Sequence, residues 1–306
     1  MSNARRHFRY DVILPMHLEP VDRYGNHLGA ERRQLVSAKE EEQLREYNAQ
    51  LSGWLDKVFD ASSNALYVFY VLNHRIDFMW WLLEQLMESN DPRLAHDYKF
   101  RTREDAKFTP PSSKKSSSIA PLILGLYEHV DGYIDELQHV ITTSVDGKIF
   151  IYSKDSPLLF DDKSYVTNLD ELAQSGVLPA KVLRLMVDKL NLQATVLERL
   201  KEAYREISRS GEWMNYRVNL SAGGFSFLST SPYELFSIMD VFMEIDGEVL
   251  VCRGKILSQI ESDDDLYPYR IGVEFNLLTV EQEQQITLFE QRKELKDAML
   301  SVALPY

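Results

Sequence analysis

Two short stretches near opposite ends of this chain carry side chains that could hold a ligand. The first is Ala4-Arg-Arg-His-Phe-Arg-Tyr10, where Arg5, Arg6 and Arg9 cluster before any acid appears. A guanidinium is planar and always charged, so it can bind phosphate bidentately, stack on a purine face, or fork onto guanine O6 and N7. A solvated basic arm is the other reading of the same residues. The second stretch is Asn219-Leu-Ser-Ala-Gly-Gly-Phe225. It offers an amide, a hydroxyl and two glycines that let a ligand approach the backbone closely. That set suits a planar, hydrogen-bonding ligand, and a plain hairpin turn would use the same residues.

Legible enzyme chemistry is absent elsewhere. The sequence has no P-loop, no G-x-S-x-G elbow and no H-E-x-x-H. Its seven histidines, among them His7, His129 and His139, lack metal-ligand spacing, so no metal site is expected. Cys252 lies in an alternating stretch and reads as a buried structural thiol. Asp263-Asp264-Asp265 reads as a solvated loop between strands, and Trp80-Trp81 as helix core or interface.

Composition narrows the classes further. With 44% hydrophobic and 26% charged residues over 306 positions, the chain is that of a globular protein of one large domain or two ordinary ones. A formal net charge of −13 argues against an open surface for DNA or RNA, while a small anion held by local arginines fits. A single cysteine precludes an internal disulfide and suits a reducing compartment. The polar, basic start predicts no secretory signal. The most apolar region, Leu66 to Met87, is interrupted by Asn73, His74, Arg75 and Asp77, so no transmembrane segment is expected and the chain is read as cytoplasmic.

The elements that must position the two stretches are strands at the ends and helices between. Val12 to Val21 alternates as a strand, with Pro15 suggesting an edge or a bulge. Met239 to Ile260 reads as two strands joined at Asp246-Gly247, Tyr269 to Phe275 as a closing strand, and Thr279 to Lys296 as a helix whose Thr279 and Gln282 have capping-box spacing. Between the ends, Leu44, Tyr47, Leu51, Leu55 and Val58 recur at helical spacing, as do Phe69, Leu72, Ile76, Met79, Leu83 and Leu86. Asp91-Pro92 ends that second helix, and residues 101–118 read as a loop or linker. Leu122, Leu126, Val130, Tyr133, Leu137 and Val140 give a third stripe, and a short hairpin is placed near 146–152. In a last helix, over 179–208, Leu183, Leu190, Leu197 and Tyr204 fall seven apart, as do Met186, Gln193, Leu200 and Ile207. These heptads suit either the core of a bundle or a seam between copies of the chain, with Gln193 as a register-setting polar residue.

Taken in this order, Arg5-Arg6-His7-Phe8-Arg9 followed by a strand resembles the RxxxR motif that opens a PilZ domain, and Asn219 to Gly224 resembles that family's (D/N)xSxxG signature. The resemblance implies an α+β fold: an antiparallel PilZ-type β-barrel with a C-terminal helix, interrupted by a mostly helical inserted bundle or coiled coil. It implies an arm and first strand at 1–29, the insertion at 30–211, and the rest of the barrel with its helix at 212–306. It also implies a non-catalytic bacterial receptor for cyclic di-GMP, needing no cofactor. Arg5 and Arg9 would clamp the nucleotide, Arg6 would help, and Asn219, Ser221 and Gly224 would form the second half of the site. The departure from the family is distance, for Arg9 and Asn219 lie 210 positions apart. The expected consequences are an arm that orders on nucleotide binding, a homo-oligomer built through helix 179–208, and a protein effector in motility, pilus, polysaccharide or transcriptional control. The rival readings are a nucleotide-independent adaptor or oligomeric scaffold acting through the helices, and a nucleotide-processing enzyme such as a phosphodiesterase.

Overall fold

The computed structural model of the chain describes residues 9–22, 35–58, 64–109, 119–152, 163–204 and 210–301. They divide into two compact units. One comprises Met1–Ala30, Thr143–Phe150 and Tyr204–Tyr306, the other Glu31–Thr142 and Ile151–Ala203.

The first unit is a closed six-stranded antiparallel barrel. Its strands are β1 (Tyr10–Val21), β2 (Met214–Ser221), β3 (Gly224–Ser229), β4 (Ile238–Ile245), β5 (Glu248–Glu261) and β6 (Tyr269–Leu277), ordered β1-β2-β3-β6-β5-β4. β1 opens the chain yet lies between β2 and β4, pairing with β2 over Tyr10–Met16 and with β4 over Met16–Val21. Each half of β1 is thus bonded on one side only, which is where Pro15 and Pro20 can sit without breaking a second ladder. The pairing of β1 with β4 completes the ring, and β6, the last strand, which includes Tyr269 to Phe275, lies between β3 and β5. Alternation supplies the core: Val12, Leu14 and Met16 from β1, Val218 and Leu220 from β2, and Phe225 and Phe227 from β3 all point inward.

A helix follows β6 (Val280–Ser301), and its Ile286 and Phe289 join the barrel core. The capping box that opens it is realised in both directions. The Gln282 backbone N–H donates to the Thr279 hydroxyl at 3.1 Å, and the Thr279 N–H donates to the Gln282 side-chain carbonyl at 2.9 Å. On the outer face of β4 and β5, Asp240 and Arg253 form a buried ion pair at 2.7 Å, with the guanidinium 5.5 Å from the Phe150 ring centroid. Thr143–Phe150 therefore belongs to the barrel unit, although it lies within the stretch 30–211 that the helical pattern assigns to the insertion.

The second unit is helical. In chain order it holds α1 (Ala38–Val58), α2 (Asn64–Met87), α3 (Tyr98–Asp105), α4 (Ala120–Thr143, whose last residue falls in the barrel unit), α5 (Lys163–Gln174) and α6 (Leu178–Ala203); the helix after β6 is α7. The apolar stripes of α2 and α4 are buried along their whole length. On α1, Leu44, Leu51 and Leu55 are buried, Tyr47 is half-buried, and the Val58 side chain lies outside the described residues. The polar residues that break the α2 stripe have packing partners of their own. Arg75 is buried, donates to Asp105 of α3 at 3.0 Å, pairs with Asp131 of α4, and lies 4.6 Å from the Tyr127 ring centroid. Asn73 and Asp77 receive the buried Lys189 ammonium from α6.

Several expectations change here. Leu183, Met186, Leu190, Gln193, Leu197, Leu200 and Tyr204 are all buried within the single chain, and α6 packs against α1, α2 and α5. Ala180, Val182, Val187 and Val196 on its other faces are buried as well. A helix covered on several sides is the centre of a bundle. From Leu183 to Leu200 the heptad face is therefore bundle core within one chain. Among the described residues α6 ends at Ala203, and Ile207 lies outside them. Residues 101–105, expected as loop, are helical. The hairpin near 146–152 is a single bridge, Val145 to Lys148, around Asp146-Gly147. α2 stops at Met87, before Asp91-Pro92, and Ser89 then takes a positive φ of 60°. Helix α5 is not among the expected elements, although Tyr165 and Leu169, four apart, form its buried face. Among the described residues, no helix is long and apolar enough to cross a membrane.

Candidate functional site

Strand pairing brings the described end of the first stretch, Arg9 and Tyr10, to the second. Tyr10 pairs with Leu220 and Asp11 with Asn219, so Arg9, the residue before β1, reaches the end of β2 where the second stretch begins. The Asn219 amide donates to the Asp11 carboxylate at 2.9 Å, a bond across 208 positions of sequence. Tyr10 donates to Asp297 of α7 at 2.5 Å, which fixes the point where the chain enters the barrel. That bond pushes the Tyr10 phenol up to about 12.

The β2–β3 turn shows why its residue types are needed. Ser221 pairs with Gly224 and its hydroxyl donates to the Gly224 carbonyl at 2.8 Å, closing the turn around Ala222 and Gly223. Gly224 has φ +148°, and a Cβ there would meet the Val273 carbonyl oxygen at 2.1 Å, so the close approach of β3 to β6 requires glycine. The Gly223 carbonyl accepts the Phe275 N–H at 3.1 Å, which ties the turn to β6.

Beside this turn is a cavity of about 600 Å³ whose lining includes Arg9, Asn219, Gly223, Ser226, Ser258, Arg270, Gly272 and Glu274. A contiguous depression of about 460 Å³ shares Asn219, Ser226, Ile260 and Arg270 and adds Asp11 and Arg217. Three guanidinium groups, from Arg9, Arg217 and Arg270, border this polar face, interspersed with the carboxylates of Asp11, Glu261, Asp263 and Glu274. Such a face can receive phosphates on its cations and the edge of a ring on its amide, hydroxyls and exposed turn backbone.

Of the six residues expected to hold a ligand, Arg9 and Asn219 line this cavity together. Ser221 is 2% exposed and Gly224 is buried, and both build the turn that presents Asn219 and Gly223. Arg5 and Arg6 lie outside the described residues. Sequence reasoning missed Arg217, Ser226, Ser258 and Arg270. The available signal was alternation: Arg217 and Asn219 share a face of β2, and Arg270 and Gly272 alternate with the core residues Ile271 and Val273. A larger cavity of about 700 Å³ lies in the helical unit, bordered by Arg45, Trp80 and the carboxylates of Glu41, Glu84 and Glu88. Three acids against one arginine make it unsuited to a phosphate. Among the described residues, no group of three or more His, Cys, Asp and Glu is placed to hold a metal ion.

A family model described as the PilZ domain matches residues 199–290. That span starts in α6 and ends in α7, so β1 and the arginine stretch fall outside it. No curated protein matches. Among solved structures, the chain is similar to a pathogenic protein from Xanthomonas campestris, reported as a tetrameric PilZ domain self-assembled via a helical bundle. The two share 17% identity, the match covers 48% of this chain and 83% of that one, and the TM-score is 0.26.

Proposed function

We propose that this chain, which carries a PilZ domain over residues 199–290, is a non-catalytic receptor for cyclic di-GMP. The observation that carries the reading is the pairing of β1 with β2, which sets Arg9 and Asn219 on one cavity despite the inserted helices. Arg9 takes a phosphate or guanine of the ligand, and Arg5 and Arg6 complete the clamp. Asn219 and the backbone at Gly223 read the polar edge of a guanine. Arg270 lines the same cavity and supplies a further cation for the second phosphate. Ser221 and Gly224 act by holding the turn in place.

Each charge-assisted contact contributes about 1.5–3 kcal/mol before ordering costs, so a few such contacts are enough for micromolar binding. Drawing the arm onto the barrel is the step that changes the surface a protein effector meets. The test is calorimetric titration of cyclic di-GMP into the chain and into Arg9→Ala. Binding in the parent that falls at least about tenfold in the variant supports the receptor. No heat and no thermal shift in the parent at high ligand would overturn it and favour an adaptor that works through the helices.

A further inference from the structure

We infer that a base of the ligand lies on the bare backbone at Gly272 against a wall formed by Leu257, so that these two residues decide which ligands the barrel accepts. The inference rests on the receptor reading above. Asp11, Asn219, Ser226, Gly272 and Ser258 are successive cross-strand partners through β1, β2, β3, β6 and β5. Their neighbours along the strands, such as Leu220, Phe225 and Ile271, fill the core, so this row lies on the outer face. Its side chains are short, and the row is therefore a trough across the sheet that coincides with the cavity beside Arg9.

Gly272 is the lowest point of the trough. Its φ is not in the left-handed region, so the backbone there does not demand glycine, and what a side chain would meet is the hydroxyl of its cross-strand partner. A Cβ at this position would stand 2.4 Å from the Ser258 hydroxyl oxygen. On β5 the register slips between Ile256 and Ser258, a bulge that leaves Leu257 without a partner on β6. Leu257 consequently turns outward beside Ser258 and is 44% exposed. A glycine floor, an apolar side chain raised next to it and hydroxyls on either side make a seat for a flat ring, with apolar contact for its face and polar groups for its edge. An inorganic phosphate would need the arginines and have no use for this seat.

The test is titration of cyclic di-GMP into the parent, Gly272→Ala, Leu257→Ala and the double variant Gly272→Ala with Ser258→Ala, each checked by thermal melting. The double variant gives the new methyl room while keeping the floor filled, which separates a blocked seat from a strained sheet. The expected result is a loss of at least about tenfold in both variants at position 272 and about threefold in Leu257→Ala. Parent-like binding in Gly272→Ala, or recovery of binding in the double variant, overturns the seat while leaving the receptor intact. Absence of binding in the parent overturns the receptor reading, and the seat with it.

Discussion

Ser221 shows how a motif residue can be required without touching a ligand. Its hydroxyl is committed to the Gly224 carbonyl and its side chain is buried. Ser221→Ala should cost about 1 kcal/mol of barrel stability through the lost hydrogen bond and weaken nucleotide binding only by loosening the turn. Arg9 is exposed and lines the cavity, so Arg9→Ala should weaken binding with an unchanged melting temperature. Melting curves run beside the titrations separate the two; a Ser221→Ala variant that melts like the parent and fails to bind would make the hydroxyl a ligand contact after all. Gly224→Ala should be harsher than either, because the new methyl would press on the Val273 carbonyl at a position of positive φ.

At the scale of elements, α7 and α6 carry the clearest consequences. Glu290 of α7 is 3% exposed, next in sequence to the core residue Phe289, and one of its carboxylate oxygens has no hydrogen-bond partner among the described residues. Burial pushes this carboxyl from 4.5 up to about 7. The folded chain therefore keeps a proton that the unfolded chain has already lost. The stability tied to that proton is complete below the unfolded value near 4.5 and is lost as pH rises through about 7. Glu290→Gln should match the parent at acid pH and exceed it by on the order of 2 kcal/mol at about pH 8. An equal offset in melts at both pH values would show that the effect is not one of ionisation. On α6, Leu190 is fully buried inside the helical unit. Leu190→Ala should destabilise that unit by roughly 2–5 kcal/mol, and the loss should not depend on protein concentration. A loss that shrank as the chain was concentrated would restore a heptad seam between copies.

For the whole molecule, the division into two compact units governs how ligand binding is seen. A ligand stabilises what it binds by an amount set by its concentration relative to its dissociation constant, about 2.7 kcal/mol at a hundredfold excess. The candidate site lies wholly in the barrel unit. Scanning calorimetry with cyclic di-GMP should therefore raise the transition of the barrel and leave that of the helices in place. A single transition moving as one would mean that the two units unfold together. The barrel must also pair residues 208 positions apart, so its closure is the long-range step in folding, and strands so distant in sequence pair slowly.

The sequence by itself determined the kinds of element, most of the helical stripes and the two stretches with ligand chemistry. These signals are local: alternation, helical spacing and turn residues act over a few positions and survive any insertion. It also carried both stretches, Arg5 to Arg9 and Asn219 to Gly224, without showing that the inserted helices leave Arg9 beside Asn219. Only the tertiary structure decided that, through the antiparallel pairing of Asp11 with Asn219. It also decided that the heptads of α6 face inward, because a heptad has the same pattern whether its partner helices come from the same chain or from another. Arg217, Arg270, Gly272 and Leu257 became site residues for the same reason. Each is an ordinary strand residue until sheet order and the bulge on β5 place it on the face that Arg9 borders.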